Sequence, residues 1–124
     1  MIREARKDDY GRLLELCVLE GWKTQKDRPE NFFAALDSSL SLVYEKDDKI
    51  VGFARAISDG HLTTYLCELV VDKEYRHQGI ATSLIDEVFN RYPEGRMELL
   101  SSCDIFYEKL GFNKVGNGFR LLKH

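Results

Sequence analysis

The stretch from Thr64 to Ile85 constrains the fold of this chain more than any other part of its sequence. It begins with an apolar, β-branched run from Tyr65 to Val71, passes through a charged turn that contains Gly79, and ends in a helical pattern. The backbone amides in the first turn of such a helix lack intrahelical partners and carry partial positive charge. A strand that leads into a helix in this way commonly binds an anion. The sequence therefore predicts a site for a phosphorylated cofactor at this turn.

Length and charge exclude several classes of protein. The chain has 124 residues, which predicts a single domain spanning residues 1–124. Its net charge of −3 argues against general affinity for nucleic acid or an anionic membrane, and no apolar segment approaches the ~20 residues of a membrane span. The cysteines Cys17, Cys67 and Cys103 match neither a disulfide framework nor a zinc pattern, so we expect no metal site. Free thiols without a secretory signal predict a cytoplasmic protein.

The chain before this stretch predicts a strand, two helices and a hairpin. Residues 2–6 are extended, and a stripe of apolar residues beginning at Tyr10 predicts the first helix. A polar linker over residues 22–29 separates it from a second helix, for which Pro29 suits the first turn. From Leu40 the period becomes extended, and two apolar runs around a charged turn predict a hairpin over residues 41–57.

The chain after this stretch predicts a parallel crossover and a closing hairpin. A helix over residues 80–92 precedes a strand over residues 97–100, and this long connection implies a parallel pair. A short helix over residues 104–110 follows, with Gly111 just beyond its end. Two runs around Gly116-Asn-Gly118 predict the hairpin. The fold class expected is α/β (α+β), with a mixed, mostly antiparallel central sheet of six to seven strands and about four helices.

The motifs at the Gly79 turn and near the C-terminus resemble those of a known family. The turn is neither a Walker loop nor a dinucleotide fingerprint, since Gly79 is not followed by Gly-Lys-Ser/Thr and G-x-G-x-x-G is absent. The run Leu69-Val-Val-Asp-Lys-Glu-Tyr-Arg-His-Gln-Gly-Ile-Ala81 resembles the acyl-CoA-binding motif of the GNAT superfamily of N-acetyltransferases. Phe106-Tyr-Glu-Lys-Leu-Gly-Phe112 resembles the second signature of that family. The resemblance implies the acyl-CoA N-acyltransferase fold.

The resemblance also implies a set of cofactor-binding residues and partners. Acetyl-CoA and an amine acceptor are the partners implied; a homodimer is an option, and a non-catalytic acyl-CoA-binding sensor is the alternative function. The backbone of residues 69–71 would pair with the pantetheine arm, and the amides of residues 76–82 would bind the pyrophosphate. The cofactor-binding set is Leu69, Val70, Val71, Arg76, His77, Gln78, Gly79, Ile80, Ala81, Thr82, Cys103 and Phe106.

Tyr107 and Glu68 are the candidate catalytic residues. The family resemblance places Tyr107 near the thioester sulfur, and its i, i+4 spacing from Cys103 puts both on one helix face. Glu68 lies inside an otherwise apolar strand and could accept the proton that an amine must lose before it attacks. Each has a structural alternative: a packed aromatic for Tyr107, and an ion pair or strand-edge carboxylate for Glu68.

Two further residues are candidates for the acceptor site. Arg55 interrupts an apolar strand, where it could recognise an anionic part of the substrate or face outward at an edge. Trp22, the only tryptophan, could line the acceptor pocket or fill a gap between two helices.

Overall fold

The structure, a computed structural model, describes residues 1–123. These residues contain five strands: β1 (Ile2–Glu4), β2 (Leu40–Lys46), β3 (Lys49–Ser58), β4 (Thr63–Val71) and β5 (Arg96–Glu98). They also contain five α-helices: α1 (Tyr10–Leu19), α2 (Lys23–Asp27), α3 (Pro29–Asp37), α4 (Ile80–Arg91) and α5 (Asp104–Lys109). Two 3-10 turns, Lys7–Asp9 and Lys73–Tyr75, precede α1 and follow β4.

The strands form one mixed sheet in the order β1-β2-β3-β4-β5. The first three pairs are antiparallel, and β5 pairs with β4 in parallel after the α4 crossover. This confirms the predicted meander followed by one parallel step. Two helices, α1 and α3, cover one face of the sheet, and α4 covers the other.

The strand β4 changes the direction of its side chains at Cys67. In the register with β3, Arg55 faces Glu68 and Ala56 faces Leu66, so Cys67 is an extra, bulged residue. Glu68 consequently shares the α1–α3 face, whereas Leu66 packs with the α4 side of the core. Without the bulge, the two-residue period of a strand would place both side chains on one face.

The helix count differs from the prediction because of α2. Residues 22–29, expected as a polar linker, contain the five-residue helix α2. All five of its residues are polar and none is buried, so no apolar period marks it in the sequence. The prediction of about four helices was therefore one helix short.

The strand count was wrong at the C-terminus. Residues 112–123, where a closing hairpin was expected, form neither helix nor strand. The apolar side chains of that segment are largely exposed, with 92% exposure at Phe119 and 86% at Leu121. The preceding strand β5 is only three residues long, so it offers a short edge on which a further strand could pair. The sheet has five strands instead of six to seven.

None of the helices within residues 1–123 is both long enough and apolar enough to cross a membrane.

Candidate active site

The central strand β4 has a free edge over its second half. On one side it pairs with β3 as far as Val71, but on the other it pairs with β5 only through Thr63, Thr64 and Tyr65. Residues 66–71 therefore face the gap beyond β5 without a strand partner in the described part of the chain. Such an edge can pair with an extended ligand by β-augmentation. Leu69, Val70 and Val71, expected to contact pantetheine, lie on this edge.

Residues 72–79, the Gly79 loop, link the end of β4 to α4 and are fixed at both ends. Asp72 accepts a hydrogen bond from the Glu74 amide at 3.0 Å and pairs with Arg12 of α1 at 2.8 Å. These contacts lower the pKa of Asp72, the Glu74 amide being the largest cause. At the other end Gly79 caps α4 in the left-handed region, with φ of +78°. His77 is also left-handed, at φ of +64°, which is rare for a residue with a side chain.

The backbone amides of this loop and of the first turn of α4 are free to bind a ligand. Within residues 1–123, none of the N–H groups of residues 76–82 donates a hydrogen bond to a protein acceptor. They include the first-turn amides of α4, a 12-residue helix whose dipole adds partial positive charge there. Left-handed residues alternating with other conformations turn consecutive amides into a concave anion-binding surface. The order of strand, loop and helix is the one expected from the sequence, and the binding of a cofactor by these amides stays a prediction.

Two side chains of the loop, Arg76 and Gln78, form contacts that the sequence did not indicate. The Arg76 guanidinium donates to the Val71 carbonyl at 3.0 Å and pairs with Glu20, the residue that follows α1, so its charge is neutralised within the protein. Lys46, at the end of β2, donates to the Gln78 side chain at 2.6 Å. Lys46 thus brings a cation to the loop from 32 residues away, a separation at which no sequence motif links the two.

Hydrogen bonds at the C-terminal end of α5 help to fix the position of Tyr107. The amide of Gly111 donates to the Glu108 carbonyl at 3.0 Å, and that of Phe112 donates to the Tyr107 carbonyl at 3.1 Å. This is a Schellman motif, and it needs a left-handed residue at Gly111, whose φ is +96°. The Tyr107 ring packs edge-on against Phe106 and Phe112, with centroids 5.0 and 5.7 Å away. Burial raises the pKa of its hydroxyl, so the phenol, protonated at neutral pH in any case, stays protonated to still higher pH.

Tyr107 borders a cavity of about 860 Å³, the α5 cavity, between β5, α5, α4 and residues 113–118. Its volume lies within the range of ligand-binding pockets. Cys103, one turn before Tyr107, is exposed, whereas Phe106 is half-buried against the α4 side of the core. The two cofactor candidates of the second motif therefore differ in accessibility.

Glu68 forms a buried ion pair with Arg55. Its carboxylate is 6% exposed and accepts from Arg55 Nε at 2.5 Å and Nη2 at 2.6 Å. Arg55 Nη1 donates to the Ser39 hydroxyl at 3.1 Å, and the Gln25 amide lies 3.4 Å from the carboxylate. The interpretation of Arg55 as an outward edge charge is therefore wrong. The ion-pair alternative for Glu68 is what the structure contains.

The Glu68 pocket lies over this ion pair, with a volume of about 160 Å³. Helices α2 and α3 form its walls, and Arg55 and Glu68 form its base. Its lining residues are Thr24, Gln25, Arg28, Asn31, Phe32, Ala35, Arg55 and Glu68. Glu68 and Tyr107 line different pockets, so a reaction that uses both must involve ligands from both sides of the β4 edge.

The pocket adjoins the hydrophobic core through Phe32. Cys17 of α1 is fully buried, and its pKa is raised to about 12 by burial and, secondarily, by the charge of Glu68. Trp22 packs against the same cluster, which agrees with the gap-filling interpretation of this residue. Among residues 1–123 no group of three or more His, Cys, Asp and Glu side chains could hold a metal ion.

Comparison with known proteins gives a consistent set of relatives. The family model described as an acetyltransferase (GNAT) domain matches residues 37–114, which include both motif stretches. N-alpha-acetyltransferase 30 of Schizosaccharomyces pombe is 34% identical over 135 residues, covering 97% of this chain and 78% of that protein.

Two solved structures show the same fold at low sequence identity. A GNAT-family acetyltransferase from Streptococcus pneumoniae superposes with a TM-score of 0.80 at 24% identity, covering 100% of this chain and 97% of that one. A protein from Clostridium acetobutylicum described as a predicted acetyltransferase, solved with acetyl-CoA, superposes with a TM-score of 0.78 at 18% identity, covering 98% of this chain and 95% of that one.

Proposed function

We propose that this chain, which belongs to the GNAT family of acetyltransferases, transfers an acetyl group from acetyl-CoA to a primary amine of a small molecule or peptide. The observation that carries the proposal is the continuity of the free β4 edge with the unpaired amides of the Gly79 loop. One extended ligand with a polyanionic end matches this surface. The family and the Clostridium structure with acetyl-CoA support the same cofactor.

The residues of the chain fit the parts of acetyl-CoA in order along the cleft. The amides of residues 76–82 would hold the pyrophosphate at the N-terminus of α4, where the helix dipole favours negative charge. The backbone of residues 69–71 would pair with the amides of the pantetheine arm. Cys103, just before α5, and Phe106 of α5 would flank the arm. Bound in this way, acetyl-CoA supplies the activated acetyl group as a thioester.

The acceptor amine must lose a proton before it attacks. An alkylamine with a pKa near ~10.4 is neutral in only about one molecule in a few thousand at pH 7. Glu68 is the proposed acceptor of that proton, directly or through a water molecule. The Arg55 ion pair fixes the orientation of its carboxylate. The neutral nitrogen then bonds to the acetyl carbon in a ternary complex, with no acyl-enzyme intermediate. The nitrogen becomes positively charged on attack and gives its second excess proton to solvent as the carbon–sulfur bond breaks.

Two groups of the chain would stabilise the rest of the reaction. A backbone N–H near Val70, on the free edge, would donate to the oxyanion that develops on the acetyl oxygen. When the carbon–sulfur bond breaks, the Tyr107 hydroxyl would give its proton to the departing thiolate. The phenol is protonated at neutral pH, as this role requires, and it borders the α5 cavity. The products are the acetylated amine and CoA, and solvent restores both proton states.

The test combines cofactor binding with an acceptor screen. Acetyl-CoA should raise the melting temperature of the protein, whereas acetyl phosphate should not, since it lacks the pantetheine arm. Release of CoA thiol is then followed with amines, amino acids, aminoglycosides and peptides. Turnover with at least one primary amine is the expected result. If acetyl-CoA raises the melting temperature but no acceptor releases CoA thiol, the result would instead support the non-catalytic sensor.

A further inference from the structure

The Glu68 pocket is too small to enclose a whole metabolite. Its volume of about 160 Å³ lies below the ~300–1,000 Å³ of pockets that bury a drug-sized ligand. It can hold one head group while the remainder of the acceptor stays outside. The chemistry of the eight lining residues should therefore select the head group and not the tail.

The base of this pocket carries no net charge. Arg55 contacts both oxygens of the Glu68 carboxylate, so the two charges neutralise each other. Each partner still has unused capacity, because a guanidinium has five N–H donors and a carboxylate about four acceptor positions. A fold does not require such a pair, since a buried pair can often be replaced by apolar residues without loss of stability. Here both members of the pair line the Glu68 pocket, where a ligand could use their remaining donor and acceptor positions.

The rim of the pocket carries a positive charge. Arg28, between α2 and α3, lines the pocket and is an exposed residue. In the part of the chain that the structure describes, no carboxylate forms an ion pair with Arg28. The lining thus contains two guanidinium groups and one carboxylate, an excess of one positive charge. Asn31 and Thr24 add polar side chains to the lining.

We propose that the acceptor is a small amine that carries a carboxylate close to its amino group, as a free amino acid does. The amino group lies at Glu68, beside the β4 edge, and the carboxylate lies at Arg28. A bidentate contact from a guanidinium is the arrangement that suits a carboxylate best. This inference rests on the proposed function, because it names the substrate class of the same site.

The experiment compares acceptor pairs that differ by one carboxylate. The pairs are alanine with ethylamine, phenylalanine with 2-phenylethylamine, and tyrosine with tyramine, and kcat/KM is measured from CoA release. The native protein and Arg28→Gln are compared for each pair. Dividing the amino acid/amine ratio of the native protein by that of the variant cancels the intrinsic difference in reactivity between the two amines. Lys26→Gln is the matched control, since Lys26 is an exposed cation of α2 that does not line the pocket.

Loss of the contact between Arg28 and the carboxylate should reduce the amino acid/amine ratio about tenfold or more. Lys26→Gln should leave that ratio within about twofold of the native value. An equal loss for both members of each pair in Arg28→Gln would overturn the inference but leave the proposed function intact. Faster acetylation of an acidic tripeptide than of any free amino acid would also overturn it. Absence of turnover with every acceptor would overturn the proposed function, and this inference with it.

Discussion

The Gly79 loop and the Glu68 pocket, the proposed cofactor and acceptor sites, are built from different parts of the chain. In the loop, the groups proposed to face a ligand are backbone amides of consecutive residues, made available by left-handed conformations at His77 and Gly79. In the pocket, they are side chains from α2, α3, β3 and β4. A backbone site depends on local conformation and tolerates most side chains. A side-chain site can change its ligand through single substitutions while the fold stays the same.

The largest effect should come from placing a negative side chain in the Gly79 loop. Gly79→Glu puts a carboxylate among the amides proposed to hold the pyrophosphate, and we expect affinity for acetyl-CoA to fall by about 10²-fold or more. A Cβ at Gly79 meets no protein atom within 4 Å, so the fold should survive at the cost of about 1–2 kcal/mol of left-handed strain. Calorimetry with acetyl-CoA measures the loss.

Gly60→Glu is the matched control for this variant. Gly60 has the same φ of +78° and the same open surroundings, but it lies in the turn between β3 and β4. The backbone strain is therefore shared, and only the position differs. Equal weakening of acetyl-CoA binding in the two variants would show that strain, and not the amide surface, is responsible.

On the pocket side, the corresponding change is the removal of the charge at Glu68. Glu68→Gln should lower kcat by about 10²-fold, because the amine loses its proton acceptor, while acetyl-CoA binding stays within about twofold. Breaking a buried pair also leaves Arg55 uncompensated, which typically costs about 3–5 kcal/mol. The double variant Arg55→Gln/Glu68→Gln, with no charge left in the pair, separates lost catalysis from lost stability.

Glu45→Gln is the control for a carboxylate lost from the same sheet. Glu45 lies in β2 and pairs with Arg3 at 2.7 Å, away from both pockets. Its replacement should leave kcat within about twofold. If Glu68→Gln and Glu45→Gln are equally active, Glu68 is a structural ion-pair partner and the amine loses its proton to solvent instead.

Replacing Tyr107 should reduce kcat less than replacing Glu68, since water can also give a proton to the departing thiolate. Tyr107→Phe keeps the ring between Phe106 and Phe112 and removes only the hydroxyl, so we expect kcat to fall about tenfold or more at unchanged stability. Burial raises its pKa, so the protonated acid persists as pH rises past the usual value near ~10. The native rate should therefore decline only above about pH 10, and the variant should lack that decline. Tyr92→Phe, at the end of α4, should match the native protein at every pH.

These regions also differ in how far the sequence predicted them. The strand, loop and helix around Gly79 were predicted correctly, because consecutive residues carry the whole arrangement. Gly111 likewise marked the end of α5, since a Schellman motif is local. The bulge at Cys67 and the contact of Arg55 with Glu68 depend on the register between two strands, which no local pattern reports. The closing hairpin was wrong because alternating apolar residues form a strand only where a partner edge exists.

A second Schellman motif, after α1, allows the proposed cofactor and acceptor sites to be compared through the two helix ends. Just after α1, the amide of Gly21 donates to the Val18 carbonyl and that of Trp22 to the Cys17 carbonyl, at 3.0 Å each. This is the same pattern that Gly111 and Phe112 form at the end of α5. Gly111→Ala should disturb Tyr107 and reduce kcat several-fold, whereas Gly21→Ala should disturb α2 and raise KM for the amine. Each costs about 1–2 kcal/mol of left-handed strain, measured by thermal unfolding. Asn, which tolerates this conformation, should restore much of the loss at either position. The same kinetic change in both alanine variants would contradict the assignment of α5 to the cofactor and α2 to the acceptor.

Thiol reactivity gives the mildest test, because it changes no residue in the native protein. Cys103 is exposed beside Tyr107, whereas Cys17 is fully buried beneath the Glu68 pocket with its pKa raised to about 12. At pH 8 a disulfide reagent should therefore label Cys103 first and reach Cys17 only as fast as the protein opens. Saturating acetyl-CoA should slow the labelling of Cys103 several-fold by covering it, and Cys103→Ser identifies the peak. If acetyl-CoA leaves that rate unchanged, Cys103 lies outside the cofactor surface, and the free edge of β4 must hold the pantetheine arm without it.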